Sequence, residues 1–398
     1  MQTAPAKPAI LIVVENLPVP LDRRVWQEAQ ALRDAGYGVS VICPRMRGYT
    51  AAYECLDGIH IHRHWISGEA GRLGGYLLEY VSALWGEARL AWNVWRRRRF
   101  RVVHICNPPD LICLAIWPFK WLGVKVIYDV HDCCPEMFAE KFGGTSGLRR
   151  WVRWAERLTY RCADVVLATN ESVKRIALTR GGKQDEEVFV VRTAPDFDGR
   201  AVKADPALKN GRTFLVGFIG VMGNTDGVQY LLEAVRVLIQ DRGRQDIQFR
   251  LMGTGPEYTA LKARRDEAGL TAYVDMPGRV SNEELFTALQ TMDLGVACDP
   301  INAYNDHCTM NKTLEYMAFG KAQVMFGIRE GRASAGAAAR YVEENSAAQL
   351  ATAIAELLDD PNARARMGAI GRQRLATELN WEQSVAQLQA AYAKALSG

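Results

Sequence analysis

The sequence predicts an α/β protein with two doubly wound domains, each a parallel β-sheet between layers of helices. Short runs of β-branched residues alternate with amphipathic stretches along the chain, which is typical of stacked β-α-β units. The alternation is lost over residues 199–212 and then restarts, so this stretch is predicted to be a linker. A chain of 398 residues is also too long for one hydrophobic core. We therefore predict domains at 1–200 and 201–380 that face each other across a cleft, followed by residues 381–398.

The first half contains six predicted strands and five predicted helices. The run Ile10–Val14 is wholly apolar, and the helix at 22–35 places Val25, Ala29 and Leu32 on one face. The other strands are Val39–Cys43, Val102–Cys106, Val126–Val130, Val165–Ala168 and Val188–Val191. The other helices span 74–98, 110–122, 147–162 and 171–180.

The second half repeats the same alternation. Its predicted strands are Phe214–Ile219, Phe249–Met252, Tyr273–Met276, Leu294–Ala297 and Gln323–Phe326. Its predicted helices span 227–240, 256–268, 281–291, 311–319, 346–358, 361–378 and 381–396. Because ligands of such sheets bind at the carboxyl ends of the strands, the site is predicted at those ends.

The composition excludes several classes of protein. Apolar residues make up 48% and charged residues 24%, which excludes a disordered, collagen-like or coiled-coil chain. A net charge of +4 is too small to predict nucleic-acid binding. Nine irregularly spaced cysteines indicate a reducing compartment rather than a disulfide framework, and no CxxC pair suggests zinc. Without a secretory signal or a long apolar stretch, the protein is predicted to be cytoplasmic, or at most peripheral on a membrane.

Three loops in the second half follow strands and have the composition of phosphate-binding loops. The first holds Gly220, Val221 and Met222, the second holds Gly253 and Gly255, and the third runs over 304–312 into a helix. Glycines let the backbone approach a ligand closely, and a helix N-terminus attracts a phosphate. A single glycine after a strand is more often only a turn, but three such loops at one sheet edge favour a site.

Lys312 is predicted to lie in the first turn of a helix, where the helix dipole favours acidic residues. A bound anion such as a diphosphate would remove that penalty. The alternative is an ion pair with Glu315, worth about 0.2–0.5 kcal/mol. Glu315 itself could accept both hydroxyls of a ribose, or could be a carboxylate placed there by the dipole.

Several motifs identify a resemblance to glycosyltransferase family 4. The donor-site motif of that family resembles the stretch Asn311-Lys-Thr-Leu-Glu-Tyr-Met-Ala-Phe-Gly-Lys321, preceded by Tyr304-Asn-Asp306. Other matching stretches are Gly253-Thr-Gly-Pro-Glu257, Pro277-Gly-Arg-Val280 and Asn380-Trp-Glu382. In the first half, the stretches Leu21-Asp-Arg-Arg-Val-Trp-Gln-Glu28 and Tyr128-Asp-Val-His-Asp132 resemble the bacterial subgroup that builds surface polysaccharides and lipid-linked sugars.

The resemblance implies the GT-B fold, with two Rossmann-like domains and a C-terminal helix that returns to the first. It implies a retaining hexosyl- or N-acetylhexosaminyl-transferase that moves a sugar from a nucleotide-diphosphate sugar to a lipid-linked or oligosaccharide acceptor. No metal and no further cofactor is implied. Charge that grows on the leaving diphosphate would be stabilised by lysine and by helix-terminal N–H groups.

The same resemblance assigns donor residues. Glu315 would hold the ribose, and the backbone at Arg279 and Val280 would contact the base. The diphosphate would be held by Lys312 together with Thr309, Met310, Asn311 and Thr313. His307 stands where the family has its first glutamate, so the neighbouring Asp306 is expected to serve the sugar hydroxyls. The stretch 223–227 lacks the family's arginine and lysine, which leaves more of the diphosphate charge to Lys312.

The catalytic candidates are His131 in the first half and Lys312 and Asp306 in the second, and the acceptor candidates all lie in the first half. His131 ends a predicted strand and resembles the family histidine near the transferring sugar, with a structural histidine as the alternative. The candidates for acceptor binding are Asn16, Asp22, Arg23, Arg24 and Asp132. For the residues at 22–24, a solvated helix start is the alternative. Asp196 and Asp198 form a DxD, which is predicted to be structural because it directly precedes the linker.

Two segments suggest that the protein contacts an anionic membrane. Residues 92–100 and 148–157 combine tryptophan with arginine on predicted helices, as interfacial segments do. The alternative is solvated arginines beside core tryptophans. The other functional hypotheses are a nucleotide-sugar epimerase or an oxidoreductase on the same architecture, and a sugar-binding protein without catalysis. The stretch Val13–Pro20 contains no glycine, which disfavours a dinucleotide-binding dehydrogenase.

Overall fold

The computed structural model of the protein describes residues 7–65, 73–142, 146–195, 197 and 201–397. The chain forms two compact units. The first comprises Met1–Thr193 and Trp381–Gly398, and the second comprises Ala194–Asn380. The change of unit therefore precedes the predicted linker, of which residues 201–212 are described and contain the short 3-10 turn Pro206–Lys209. Asp196 and Asp198 lie outside the described residues.

The first unit is built on an eight-stranded sheet with the strand order β3-β4-β2-β1-β5-β6-β7-β8. All neighbours are parallel except β3, which is antiparallel to β4. The strands are β1 Ala9–Val14, β2 Gly38–Pro44, β3 Tyr53–Leu56, β4 Ile59–His64, β5 Val102–Cys106, β6 Lys125–Val130, β7 Val165–Ala168 and β8 Val188–Val190.

The hairpin β3–β4 is absent from the sequence-based prediction. Its two-residue turn consists of Asp57 and Gly58, whose φ angles are 50° and 80°. Positive φ at both central residues is the type I′ geometry that matches the twist of a hairpin. The Asp-Gly pair is typical of such a turn. The second strand was not recognised because histidines alternate with isoleucine in β4 and interrupt its apolar pattern.

Six helices and the C-terminal helix cover this sheet. They are α1 Arg23–Asp34, α2 Leu73–Arg98, α3 Cys113–Lys120, α4 Cys134–Phe142, α5 Ser146–Cys162, α6 Glu171–Thr179 and the C-terminal helix Trp381–Ser397. The C-terminal helix buries Leu388, Ala391, Tyr392 and Ala395 in the core of the first unit. Helix α4 was not predicted. None of the helices in the described ranges has both the length and the hydropathy that a bilayer crossing requires.

The second unit has a fully parallel six-stranded sheet with the order β11-β10-β9-β12-β13-β14. The strands are β9 Phe214–Ile219, β10 Ile247–Met252, β11 Val274–Gly278, β12 Leu294–Ala297, β13 Ala322–Phe326 and β14 Ala339–Val342. The helices are α7 Val228–Arg236, which continues as one π-helical turn, α8 Tyr258–Glu267, α9 Asn282–Thr291, α10 Asn311–Ala318, α11 Arg329–Ala335, α12 Ala347–Asp359 and α13 Pro361–Thr377. Helix α11 and strand β14 were not predicted.

Candidate active site

The glycine loops after β9 and β10 pack directly on each other. A Cβ atom at Gly253 would lie 1.8 Å from the carbonyl oxygen of Gly220, and one at Gly255 would lie 2.5 Å from that of Met222. The Met222 N–H donates to the carbonyl of Thr254 at 3.2 Å. These glycines are therefore required by backbone contact between the loops, whatever ligand the loops bind.

The third loop is joined to the first two. A Cβ atom at Gly220 would lie 3.1 Å from Cε of Lys312, and Asn305 donates hydrogen bonds to the carbonyls of Thr225 and Pro300. The three predicted loops thus meet at the carboxyl edge of the second sheet. Strand ends converge there because all six strands are parallel.

The positive charge of Lys312 is balanced by Asp299, a residue that was not predicted from the sequence. Its Nζ atom lies 2.8 and 3.0 Å from the two carboxylate oxygens of Asp299, and both side chains are buried. Burial alone would lower the pKa of Lys312, but Asp299 raises it above its usual value. Neither expected partner, a bound anion or Glu315, is thus needed to keep the lysine charged. One of its three N–H groups remains beyond the two that face Asp299.

The start of α10 carries donors rather than acceptors. The N-cap residue is Met310, whose side chain makes no capping hydrogen bond, and the first turn has no acidic residue. The hydroxyl of Thr313 is buried and has no hydrogen-bond partner among the described residues. Glu315 is also buried, one turn into the helix. The Thr313 N–H donates to the Met310 carbonyl at 3.0 Å, so the N–H groups of Asn311 and Lys312 and the spare Thr313 hydroxyl form the arrangement suited to an anion.

The remaining donor candidates divide by exposure. Asp306 accepts a hydrogen bond from the Arg329 N–H at 3.0 Å, so one of its oxygens caps α11. Met222 is fully buried and packs in the core, which excludes its side chain from direct ligand contact. The exposed candidates are Val221, Arg279 and Asn311, and the half-buried ones are Val280, His307, Thr309 and Met310.

In the first unit, His131 is held by two neighbours. Its Nε2 atom lies 2.6 Å from Oδ2 of Asp129, and its backbone N–H donates to Oδ1 of Asn107 at 2.7 Å. Burial lowers the pKa of His131, but the Asp129 carboxylate more than offsets this and raises it. The ring therefore favours the imidazolium form, which donates hydrogen bonds.

Arg24 does not lie at a solvated helix start. It is buried and makes two hydrogen bonds to Asp129, at 2.9 and 2.6 Å, and one to the carbonyl of Val191 at 2.7 Å. Glu28 lies 3.1 Å away on the same helix. The guanidinium of Arg24 thus binds Asp129, Val191 and Glu28 of the protein itself. The expectation that Arg24 binds an acceptor phosphate is therefore corrected. The reason is that Asp129, buried on β6, needs a cation.

The other acceptor candidates differ in accessibility. Asp22 is buried and caps α1 by accepting from the Val25 N–H at 3.1 Å. Asp132 is half-buried, and its backbone N–H and carbonyl both bond to Asn107. Asn16 and Arg23 are exposed.

Three residues that position candidates were not predicted from the sequence. Asn107 and Asp129 hold His131, and Asp299 holds Lys312. The signal for Asp129 was a carboxylate in an otherwise apolar strand, two residues before His131. Asp299 lies two residues after the end of β12, separated from it by Cys298. Asn107 had no comparable signal, because its contacts cross from the end of β5 to the end of β6.

Two family models match the chain. A Glycosyl transferase 4-like domain matches residues 21–192, and the Glycosyl transferases group 1 model matches residues 213–360. Together the two matches cover more than half of the chain, and each falls within one of the two units.

Curated relatives are similar over part of the chain. An MMP alpha-(1->4)-mannosyltransferase of Mycolicibacterium hassiacum is 25% identical over 315 residues, which cover 76% of this chain and 72% of that protein. A 2-deoxystreptamine glucosyltransferase of Streptomyces kanamyceticus is 29% identical over 150 residues, which cover 36% of this chain and 37% of that protein.

Solved structures share the fold over nearly the whole chain. A sucrose-phosphate synthase of Thermosynechococcus elongatus has a TM-score of 0.79 at 16% identity, covering 98% of this chain and 100% of that one. The Anabaena protein HepE, in complex with UDP and glucose, has a TM-score of 0.73 at 16% identity, covering 97% and 100%. WaaG, a glycosyltransferase involved in lipopolysaccharide biosynthesis, has a TM-score of 0.70 at 14% identity, covering 98% and 100%.

Proposed function

Because the chain belongs to glycosyltransferase family 4, a family of nucleotide-sugar enzymes, we propose that the loop edge of its second unit binds the donor diphosphate. The observation that carries this proposal is the start of α10. There, the first turn of the helix holds N–H groups without a side-chain cap, the unpartnered hydroxyl of Thr313, and the charged Lys312, whose side chain lies beside Gly220. A phosphate would satisfy all three kinds of donor at once.

The rest of the donor is assigned along the same edge. Glu315, one turn into α10, accepts the ribose hydroxyls, and the backbone at Arg279 and Val280 contacts the base. Asp306 retains one carboxylate oxygen beyond its bond to the Arg329 N–H, and this oxygen is assigned to the sugar hydroxyls. These assignments rest on family resemblance and on the common location of the residues at strand ends.

The proposed reaction is a retaining transfer. The bond between the anomeric carbon and the diphosphate oxygen breaks, the acceptor hydroxyl forms a new bond on the same face, and its proton passes to the leaving phosphate. The positive groups at α10 stabilise the charge that develops on the diphosphate. His131, which favours its protonated form, donates a hydrogen bond to a sugar hydroxyl.

The donor is proposed to carry a hexose and the acceptor to be a saccharide or a lipid-linked sugar. The mannosyl- and glucosyltransferase relatives support the hexose, and the Anabaena complex with UDP and glucose supports a uridine nucleotide. The likeness to WaaG supports an acceptor in cell-surface glycan synthesis.

A membrane-bound acceptor is supported by exposed tryptophans. On α5, Val152 and Ala155 face the core, whereas Trp151 and Trp154 are 50% and 55% exposed. The alternative of core tryptophans thus does not hold for these two. Trp121, at the end of α3, is 81% exposed. Arginines 150, 153 and 157 share the exposed face of α5, which suits an anionic surface.

Nucleotide release tests the proposal. Purified protein is incubated with UDP-, GDP- and ADP-hexoses, with and without saccharide acceptors, and the freed nucleotide is measured. We expect release from one donor, with an α-linked product from an α-donor by NMR and with the rate unchanged by EDTA. A non-catalytic binder would release no nucleotide, and an inverted product would contradict retention. Loss of activity in EDTA at an unchanged melting temperature would contradict metal independence of the reaction.

A further inference from the structure

Three ionisable side chains from three elements meet inside the first unit, apart from the candidate active-site residues. Glu15 follows β1, His64 ends β4, and Glu87 lies on α2. Each offers one ligand atom, and these atoms all lie within 4.8 Å of one another. The shortest separation, from Nε2 of His64 to Oε2 of Glu15, is 3.0 Å.

The orientation of His64 directs a lone pair into this group. Its Nδ1 atom lies 3.3 Å from the carbonyl oxygen of Trp65, which can only accept a hydrogen bond. In the tautomer that donates from Nδ1 to this carbonyl, the lone pair of Nε2 is directed toward Glu15 and is available to a metal ion. A Cβ atom at Gly86 would lie 3.1 Å from that of His64, so α2 packs closely against the histidine.

Glu87 is the least compensated of the three side chains. Its side chain is 0% exposed, and neither carboxylate oxygen has a hydrogen-bond partner among the described residues. Oε2 of Glu15 and Nε2 of His64 face each other at 3.0 Å, but their contact lacks the geometry of a hydrogen bond and neither atom has another partner among the described residues. Within the described ranges, no lysine or arginine forms an ion pair with either carboxylate. Uncompensated buried carboxylates are strongly unfavourable, so the cluster requires a cation or bound protons.

The other buried cluster of the same unit has its cation built in. His104, Cys106 and Asp129 also come within ligand distance of one another, but the guanidinium of Arg24 occupies both oxygens of Asp129. The hydroxyl of Tyr392 lies 3.0 Å from Nδ1 of His104. Among the residues that the structure describes, the group around Glu87 has no such arginine, and this difference distinguishes the two clusters.

We propose that Glu15, His64 and Glu87 bind a divalent cation of the Zn²⁺ type. One imidazole and two carboxylates are ligands that Zn²⁺ accepts, with bonds of about 2.0–2.2 Å and water in the fourth position. Tetrahedral ligands at that radius are separated by about 3.4 Å, so small side-chain movements close the site. Glu15 is 13% exposed at its side chain and provides an entry path. The cation would tie α2 to the ends of β1 and β4.

Zinc binding to matched variants tests the site. The chain without a histidine tag is stripped of metal, titrated with Zn²⁺ alone, and analysed for bound metal and melting temperature. Because cysteines can also bind Zn²⁺, the comparison is with Glu87→Gln, which keeps the shape of the side chain. We expect the wild type to bind one more equivalent than this variant, or to bind it at least about tenfold more tightly. His64→Asn should behave like Glu87→Gln.

The matched control is His62→Asn, on the same strand but outside the cluster, which should bind Zn²⁺ like the wild type. Equal binding by the wild type and Glu87→Gln would overturn the proposal and leave protons as the compensation. If Glu87→Gln fails to fold, Glu15→Gln replaces it, and unchanged Zn²⁺ binding there would equally overturn the site. Donor binding is measured separately, so failure of either proposal leaves the other standing.

Discussion

Lys312 and Asp299 form a buried ion pair at the carboxyl edge of the second sheet, with both carboxylate oxygens within 3.0 Å of the ammonium nitrogen. The pair fixes a positive group beside the start of α10 and keeps it charged without a ligand. A diphosphate would therefore meet a preorganised cation.

Breaking this pair should be costly to folding. Asp299→Leu or Lys312→Met leaves one charge buried without its partner, which costs about 3–5 kcal/mol. The double variant Lys312→Met/Asp299→Leu removes both charges and should regain most of that free energy of unfolding. Urea denaturation of the four proteins measures the coupling. Single variants within about 1 kcal/mol of the wild type would contradict a strong buried pair.

Glu315→Ala should weaken donor binding more than it harms folding. Hydrogen bonds to a charged group are worth about 1.5–3 kcal/mol, so the Kd for the nucleotide diphosphate should rise about 10- to 150-fold. Calorimetric titration measures this, with Glu356→Gln, an exposed carboxylate on α12, as the control. Equal loss of binding and of melting temperature would make Glu315 merely structural.

The transfer rate should depend on the protonation of His131. Because Asp129 raises the pKa of His131, the rate should fall as pH rises through that raised value. Asp129→Asn should move this fall to lower pH, and His131→Asn should abolish it. The ion pair should likewise stabilise folding fully below about pH 6.5, the unfolded histidine pKa, and lose its contribution as pH rises through the folded pKa. A rate profile identical in the wild type and Asp129→Asn would contradict this role.

The contact between glycine loops predicts a stability difference. In Gly255→Ala the new Cβ atom would meet the Met222 carbonyl at 2.5 Å, and such crowding costs about 1–3 kcal/mol. Gly147→Ala, on α5 with no atom within 4 Å of the added carbon, should be neutral or slightly stabilising. Thermal denaturation distinguishes the two variants. Equal melting temperatures would show that the loops after β9 and β10 move apart to accommodate the added carbon.

If α5 contacts an anionic membrane, removing its exposed tryptophans should weaken binding to anionic vesicles. Trp151→Ser/Trp154→Ser should reduce co-sedimentation with anionic phosphatidylglycerol vesicles, because the exposed rings no longer enter the interface. Neutral vesicles should bind either protein weakly, and high salt should release the wild type. Binding of the wild type that ignores anionic lipid would count against the proposal.

The order of strands and helices was largely predictable because each β-α unit carries its own periodicity. The two largely parallel sheets and the convergence of the three strand-end loops followed from that order, and the family followed from the motifs. The edge hairpin at Asp57 and Gly58 was missed because its strands are exposed or interrupted by histidine.

Pairings across the sheet were not predictable. Arg24 lies 105 residues from Asp129, and nothing local shows that this arginine is buried rather than solvated. Lys312 and Asp299 are closer in sequence, but the partners predicted for Lys312 were a bound anion and Glu315 on the same helix. Burial creates these partnerships, and burial is a property of the tertiary structure.

The most direct measurement is the structure of the protein in complex with its preferred nucleoside diphosphate. We predict that the diphosphate oxygens lie within hydrogen-bond distance of the N–H groups of Asn311 and Lys312 and of the Thr313 hydroxyl, with Glu315 on the ribose. A nucleotide bound elsewhere, with the start of α10 in contact only with water, would contradict it.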